Sequence, residues 1–195
     1  EFTGIGTDKD LESASRNLLR ASETDTIAQY YYGLLLKGLP RYPQNRDEVA
    51  RYLSMAADKN HHEAEEQYGL LLLERNLPKN EDDKTSESDD EDDSDDEKFK
   101  PQKLIDDETY DENKRKAMKY FARAADVGKI ESMYQEGHLL LEYNEDEEKA
   151  VKLIEKAAES NHPWGMFEYS NLLEVGRGVD KDLTKSDQYL VKAAD

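Results

Sequence analysis

Short leucine-rich windows recur along the chain, each preceded by small residues at fixed offsets. Ala64, Ser132 and Gly165 are each followed five residues later by Gly69, Gly137 or Ser170, and then by Leu71-Leu72, Leu139-Leu140 or Leu172-Leu173. Ala28, Gly33 and Leu35-Leu36 fall in the same register. Ahead of these windows lie stretches of mixed charge that carry Tyr52-Leu53, Tyr120-Phe121, Leu153-Ile154 and Tyr189-Leu190, and each closes on an Ala-Ala pair. Their apolar positions recur near the 3.6-residue helical period, which predicts an amphipathic helix. Three residues past the first three Ala-Ala pairs stand Asn60, Gly128 and Asn161. Asn and Gly tolerate the left-handed conformation that ends a helix, so these positions predict C′ residues.

Two helices per period follow, with 36 residues from Gly33 to Gly69 and 33 from Gly137 to Ser170. The 68 residues from Gly69 to Gly137 equal one period plus an insertion. A single helix pair buries too little apolar surface to stand alone, whereas stacked pairs share a continuous core. The pattern predicts an all-α protein, an α/α superhelix (solenoid) of about four helix-pair repeats. Residues 1–195 form a single array, interrupted in its second repeat by an insertion over 78–112, with the next helix starting near Asp111.

The last linker carries a more specific signature. Gly176-Arg177-Gly178-Val179-Asp180, followed by Lys185 and by Tyr189 to Ala194, resembles the pattern of the Sel-like repeat family, a branch of the tetratricopeptide-like helical repeats. Gly4-Ile5-Gly6-Thr7-Asp8 is similar, and Lys116-Ala117 and Lys149-Ala150 keep the family's Lys-Ala step. Lys37-Gly38-Leu39-Pro40 keeps one glycine, Tyr143-Asn144-Glu145-Asp146 is shortened, and Ser186 replaces the alanine after Lys185. The resemblance implies a non-catalytic scaffold or adaptor whose partners are other proteins or peptides, with no cofactor. It also leaves open a recognition arm of a membrane-associated protein degradation complex, or a regulatory appendage of a larger kinase or membrane protein. Family members that act on β-lactams are stapled by disulfides, and this chain has no cysteine to match them.

Composition narrows the classes further. Charged residues make up 37% and hydrophobic residues 36%, and the net charge is −19. Between Glu81 and Glu97 twelve acidic residues face one lysine, which leaves −8 for the rest of the chain. No basic face exists for phosphate neutralisation, which argues against nucleic acid as a partner. No apolar run reaches the ~20 residues that span a bilayer, so no direct membrane insertion is expected in this segment. The absence of cysteine fits a reducing, cytoplasmic setting. The chain starts at Glu1 and reads as a fragment, so a lumenal location in the endoplasmic reticulum stays open, although no Asn-x-Ser/Thr is present. The acidic tract lacks any aliphatic or aromatic residue from Lys79 to Glu97 and is expected to be disordered. Ser86, Ser88 and Ser94 each precede an acidic residue by three positions, the preference of acidophilic kinases such as casein kinase II. They are candidate phosphorylation sites, a hypothesis that phosphopeptide mapping would sink by recovering only the unmodified segment.

A candidate contact surface lies on the helix that bears the Gly and Leu-Leu marks. Its second stripe, three residues before and one after the Gly position, carries Tyr30 and Leu34, Glu66 and Leu70, Tyr134 and His138, Phe167 and Asn171. A free surface helix is polar on such a stripe, and this one is largely aromatic and aliphatic. Either it forms a groove for a peptide, or it packs against adjacent repeats, the use favoured for an apolar helix. His61-His62 with Glu63 and Glu66 offers metal-ligand residue types without a recognisable ligand spacing. In His162-Pro163-Trp164 the proline suits the first helical position, and Trp164 is either a packing residue or a binding hot spot.

Overall fold

The computed structural model describes residues 11–39, 45–74, 76–77, 103–104 and 106–194. Nine helices follow one another within them: α1 Leu11–Ala21, α2 Thr26–Lys37, α3 Arg46–Ala57, α4 His62–Leu73, α5 Asp107–Asp126, α6 Ile130–Glu142, α7 Glu147–Glu159, α8 Pro163–Val175 and α9 Leu183–Ala194. Each helix packs chiefly on its neighbours in sequence, the one-dimensional order of an α/α solenoid. Four hairpins (α1/α2, α3/α4, α5/α6 and α7/α8) stack in a row, and α9 closes the described end. Sequence patterning missed α1, because its closing pair is Ala21-Ser22 rather than Ala-Ala.

The Ala-Ala turns form as their residue types dictate. Asn60, Gly128 and Asn161 have φ of 61°, 92° and 61°, the left-handed region. The amide of the following residue then reaches back to the helix, His61 to Ala56 O, Lys129 to Ala124 O and His162 to Ala157 O. That six-to-one bond satisfies a carbonyl the ended helix would leave unpaired. The following residue, His61, Lys129 or His162, is also the N-cap of the next helix, so one residue ends one helix and starts another.

Small residues then set the packing distances. A Cβ on Gly165 would sit 3.0 Å from Ala157 Cβ, so α8 rests on the Ala-Ala pair of α7. Gly33, Gly69 and Gly137 receive Leu53, Phe121 and Ile154 from the next hairpin, and those three side chains are fully buried. Burying a side chain of this size contributes about 1.5–3 kcal/mol each, and the core runs as a strip from α2 to α9.

The insertion departs from the hairpin geometry at both ends. Asn76–Leu77 (β1) and Lys103–Leu104 (β2) pair antiparallel, Asn76 opposite Leu104 and Leu77 opposite Lys103. Arg46 Nη2 donates to Leu71 O at 2.7 Å and holds the end of α4 against the start of α3. The next helix begins at Asp107 rather than near Asp111. Asp106 caps it by accepting the Thr109 amide at 2.8 Å, and Asp107 and Glu108 lie in the first turn, where the helix dipole favours negative charge. The acidic tract, with Ser86, Ser88 and Ser94, lies outside the described residues.

Candidate functional site

The eight stripe residues occupy one register on α2, α4, α6 and α8. Tyr30, Leu34, Glu66, Leu70, Tyr134 and His138 are partly buried, whereas Phe167 and Asn171 are exposed. Several of the partly buried residues meet the next hairpin. The Tyr30 ring stacks on His61 at 4.6 Å between centroids, Ser132 Oγ donates to Glu66 Oε2 at 3.1 Å, and Tyr134 stacks on His162 at 4.7 Å. Tyr30, Glu66 and Tyr134, each three before the Gly position, therefore touch the cap or first turn of the next helix bearing these marks. Phe167 instead meets Trp164 on its own helix, edge to face at 6.4 Å.

The histidines take up roles that residue type alone did not reveal. Adjacent histidines at a helix start suggest solvent-facing side chains, yet His61 Nδ1 accepts the Ala64 amide at 3.3 Å as a cap. His162 Nδ1 accepts the Gly165 amide at 3.0 Å, which leaves Nε2–H to donate to Glu131 at 2.9 Å. His62 pairs with the buried Glu65 at 2.8 Å rather than with Glu66, and Arg123 Nε lies 2.9 Å from the other Glu65 oxygen. These residues of metal-ligand type are thus engaged in caps, hydrogen bonds and ion pairs. Among the described residues no three His, Cys, Asp or Glu side chains gather as a metal group.

A cluster between α6 and α8 stands apart by its chemistry. His138 Nδ1 donates to Glu168, 3.1 Å from each carboxylate oxygen, and this hydrogen bond raises the His138 pKa above its ordinary value. The Tyr134 ring also faces His138, at 5.8 Å. Burial, and then the negative charge of Glu168 and Glu131, pushes the Tyr134 phenol up to about 12, so it stays protonated at neutral pH. The pattern had singled out Tyr134, His138 and Phe167. It missed Glu131 and Glu168, because a glutamate on a helix surface looks alike whether solvated or paired.

Behind the stripe the Lys-Ala positions build a second layer. Lys116 Nζ donates to the Tyr68 hydroxyl at 2.9 Å, and Lys185 Nζ to that of Tyr169 at 3.2 Å. Lys149 instead binds Glu136 Oε1 at 2.6 Å, because Glu136 stands where the other repeats place tyrosine. The chemistry of the layer is structural, and the accessible groups lie on the stripe.

Helix hairpins stacked in one register define an α/α solenoid. Models of the Sel1 repeat match residues 26–61, 109–129, 127–162 and 165–195. The chain belongs to the Sel1 repeat family, whose members are generally protein-interaction scaffolds. Two solved structures share the fold across 99% of this chain. One is a Sel1 repeat protein from Oxalobacter formigenes, with a TM-score of 0.69 and 20% identity, of which this chain spans 66%. The other is c5321, a protective antigen of uropathogenic Escherichia coli strains displaying an SLR fold, with a TM-score of 0.67, 20% identity and 35% of its length spanned. No curated protein matches the chain. Among the described residues no helix is long and apolar enough to cross a membrane.

Proposed function

We propose that this chain is a non-catalytic adaptor that binds other proteins or peptides through the common face of α2, α4, α6 and α8. The observation that carries this reading is the stripe itself, aromatic or aliphatic on each of the four helices where a solvated helix face is polar. Its partly buried residues Tyr30, Leu34, Leu70 and Tyr134 supply a floor suited to an extended or helical peptide.

The test compares proteins captured from an extract by the parent chain, by a Tyr134→Ser/Phe167→Ser variant and by a variant lacking residues 78–102. Loss of specific partners in the double variant, with its far-ultraviolet circular dichroism intact, supports the face as the contact surface. Retention of every partner there sinks it, and loss confined to the deletion would move the contact to the insertion.

A further inference from the structure

The step from α6 to α8 departs from the other steps of the array in two layers at once. On the stripe face, the position after the glycine and the position two before the mark of the next stripe helix hold Leu34 with Gln67 and Leu70 with Gln135. At the α6–α8 step the same two positions hold His138 and Glu168, and His138 Nδ1 lies 3.1 Å from each carboxylate oxygen. In the layer behind, three repeats set tyrosine edge to face against tyrosine, whereas here Glu136 and Leu153 take the two places. Lys149 holds one Glu136 oxygen at 2.6 Å, and the other is buried with no hydrogen-bond partner among the described residues. Ionisable groups thus replace neutral ones in both layers of one step.

A leucine beside a glutamine does not titrate, and an imidazole beside a carboxylate does. A hydrogen bond from an imidazolium to a carboxylate is roughly twice as strong as one from a neutral ring. The layer behind gives little support, since it lacks the aromatic pair and carries an unsatisfied buried carboxylate. The charged and titratable groups that face His138 are Glu168 from α8, Glu142 and Tyr134 on α6 and Lys114 from α5. Two carboxylates outweigh one cation, which Glu142 itself holds at 2.6 Å. A second link between the helices, His162 Nε2 to Glu131, comes from a ring whose Nδ1 accepts the Gly165 amide, so that pair forms with a neutral imidazole. We propose that the step from α6 to α8 is a proton-responsive joint of the array, closed on the stripe face by the His138–Glu168 pair and slackened when His138 becomes neutral. The pair is fully engaged below the ordinary histidine value and weakens as pH rises through the folded value, which the Glu168 hydrogen bond raises. Tyr134, whose ring stacks on His162 and faces His138, lies across the joint. The inference holds whatever the face binds.

Amide hydrogen exchange of the 195-residue chain, read by mass spectrometry from about pH 5.5 to about pH 8.5, brackets the ordinary histidine value. Each rate is divided by the intrinsic rate at that pH, so that protection reports opening of the helices. Protection in α6 and α8 is expected to fall about threefold or more across this range, as the loss of a charge-assisted bond implies. Glu168→Gln and His138→Leu each install the residue that the other steps carry at that place, so both variants are expected to fold and to flatten the profile. An equal fall in the parent and in Glu168→Gln, or a parent profile without a fall in α6 and α8, overturns the proposal.

Discussion

Gly137→Ala adds one methyl group where α6 meets α7. The new Cβ would stand 2.8 Å from Ile154 Cγ1 and 2.9 Å from the Ala150 carbonyl oxygen. Neither neighbour yields cheaply, because Ile154 is fully buried and the carbonyl belongs to the α7 backbone. Two effects oppose each other. Alanine is favoured over glycine inside a helix by about 1 kcal/mol. Overpacking typically costs about 1–3 kcal/mol, and a contact with backbone belongs in the upper part of that range. A net loss of roughly 1–2 kcal/mol follows, which for a chain of this size lowers Tm by about 2–8 °C. Two companion variants separate the effects. Gly38→Ala has φ −81° and nothing closer than 3.5 Å, so it is expected to be neutral or slightly stabilising. Gly128→Ala meets no atom within 4 Å but has φ +92°, so it reports backbone strain alone, about 1–2 kcal/mol. Thermal and urea unfolding followed by far-ultraviolet circular dichroism measure all three. A Gly137→Ala protein that unfolds at or above the parent Tm would refute the close-approach argument for the whole repeat.

Two further predictions concern the polar substitutions within the array. Tyr32/Tyr52, Tyr68/Tyr120 and Tyr169/Tyr189 meet edge to face at 4.7, 5.0 and 5.2 Å, whereas the remaining repeat has Glu136 and Leu153 at those positions. Glu136 Oε2 is buried without a hydrogen-bond partner among the described residues. A double-mutant cycle of Glu136→Tyr and Leu153→Tyr is expected to show about 0.5–1.5 kcal/mol of favourable coupling, and additive single effects would contradict an edge-to-face pair at that place. His138 faces Glu168 from α8, Glu142 on its own helix and Lys114 on α5, and its pKa is raised chiefly by the Glu168 hydrogen bond. A raised folded-state pKa means the protonated pair stabilises fully below the unfolded value of about 6.5 and that this contribution is lost as pH rises through the folded value. Ring-proton titration by NMR should show His138 above the ordinary value in the parent and lower in Glu168→Gln. An identical titration curve in both proteins would show that Glu168 is not the cause.

Backbone events were the legible part of the sequence, because few residue types can perform them. Asn60, Gly128 and Asn161 were readable as left-handed helix ends, since only a permissive residue fits there. The start of α5 was misplaced by four residues because Asp106 looks like one more acid in an acidic tract, and only its bond to the Thr109 amide distinguishes a cap. The stripe was legible as a stripe, from register alone. Its two uses were not separable by hydropathy, because an aromatic ring such as Tyr134 reads alike whether it is solvated or packed, and only the His162 cap stacked on it shows the packing.

That contrast divides the molecule into two sets of positions under different constraints. Gly33 with Leu53, Gly69 with Phe121 and Gly137 with Ile154 are fixed in volume from both sides, so variation there is limited to compensating pairs. At the positions three before the glycine the stripe meets the cap or first turn of the next marked helix, which tolerates a ring on a ring at Tyr30, a carboxylate on a hydroxyl at Glu66 and a ring on a ring again at Tyr134. Two chemistries at one register, with the helix hairpins stacked alike, show that side chains on this face can vary without disturbing the stack. In an array whose stability is roughly a sum of neighbour terms, a Phe167→Ser substitution in this chain, at an exposed stripe position, should therefore leave unfolding almost unmoved.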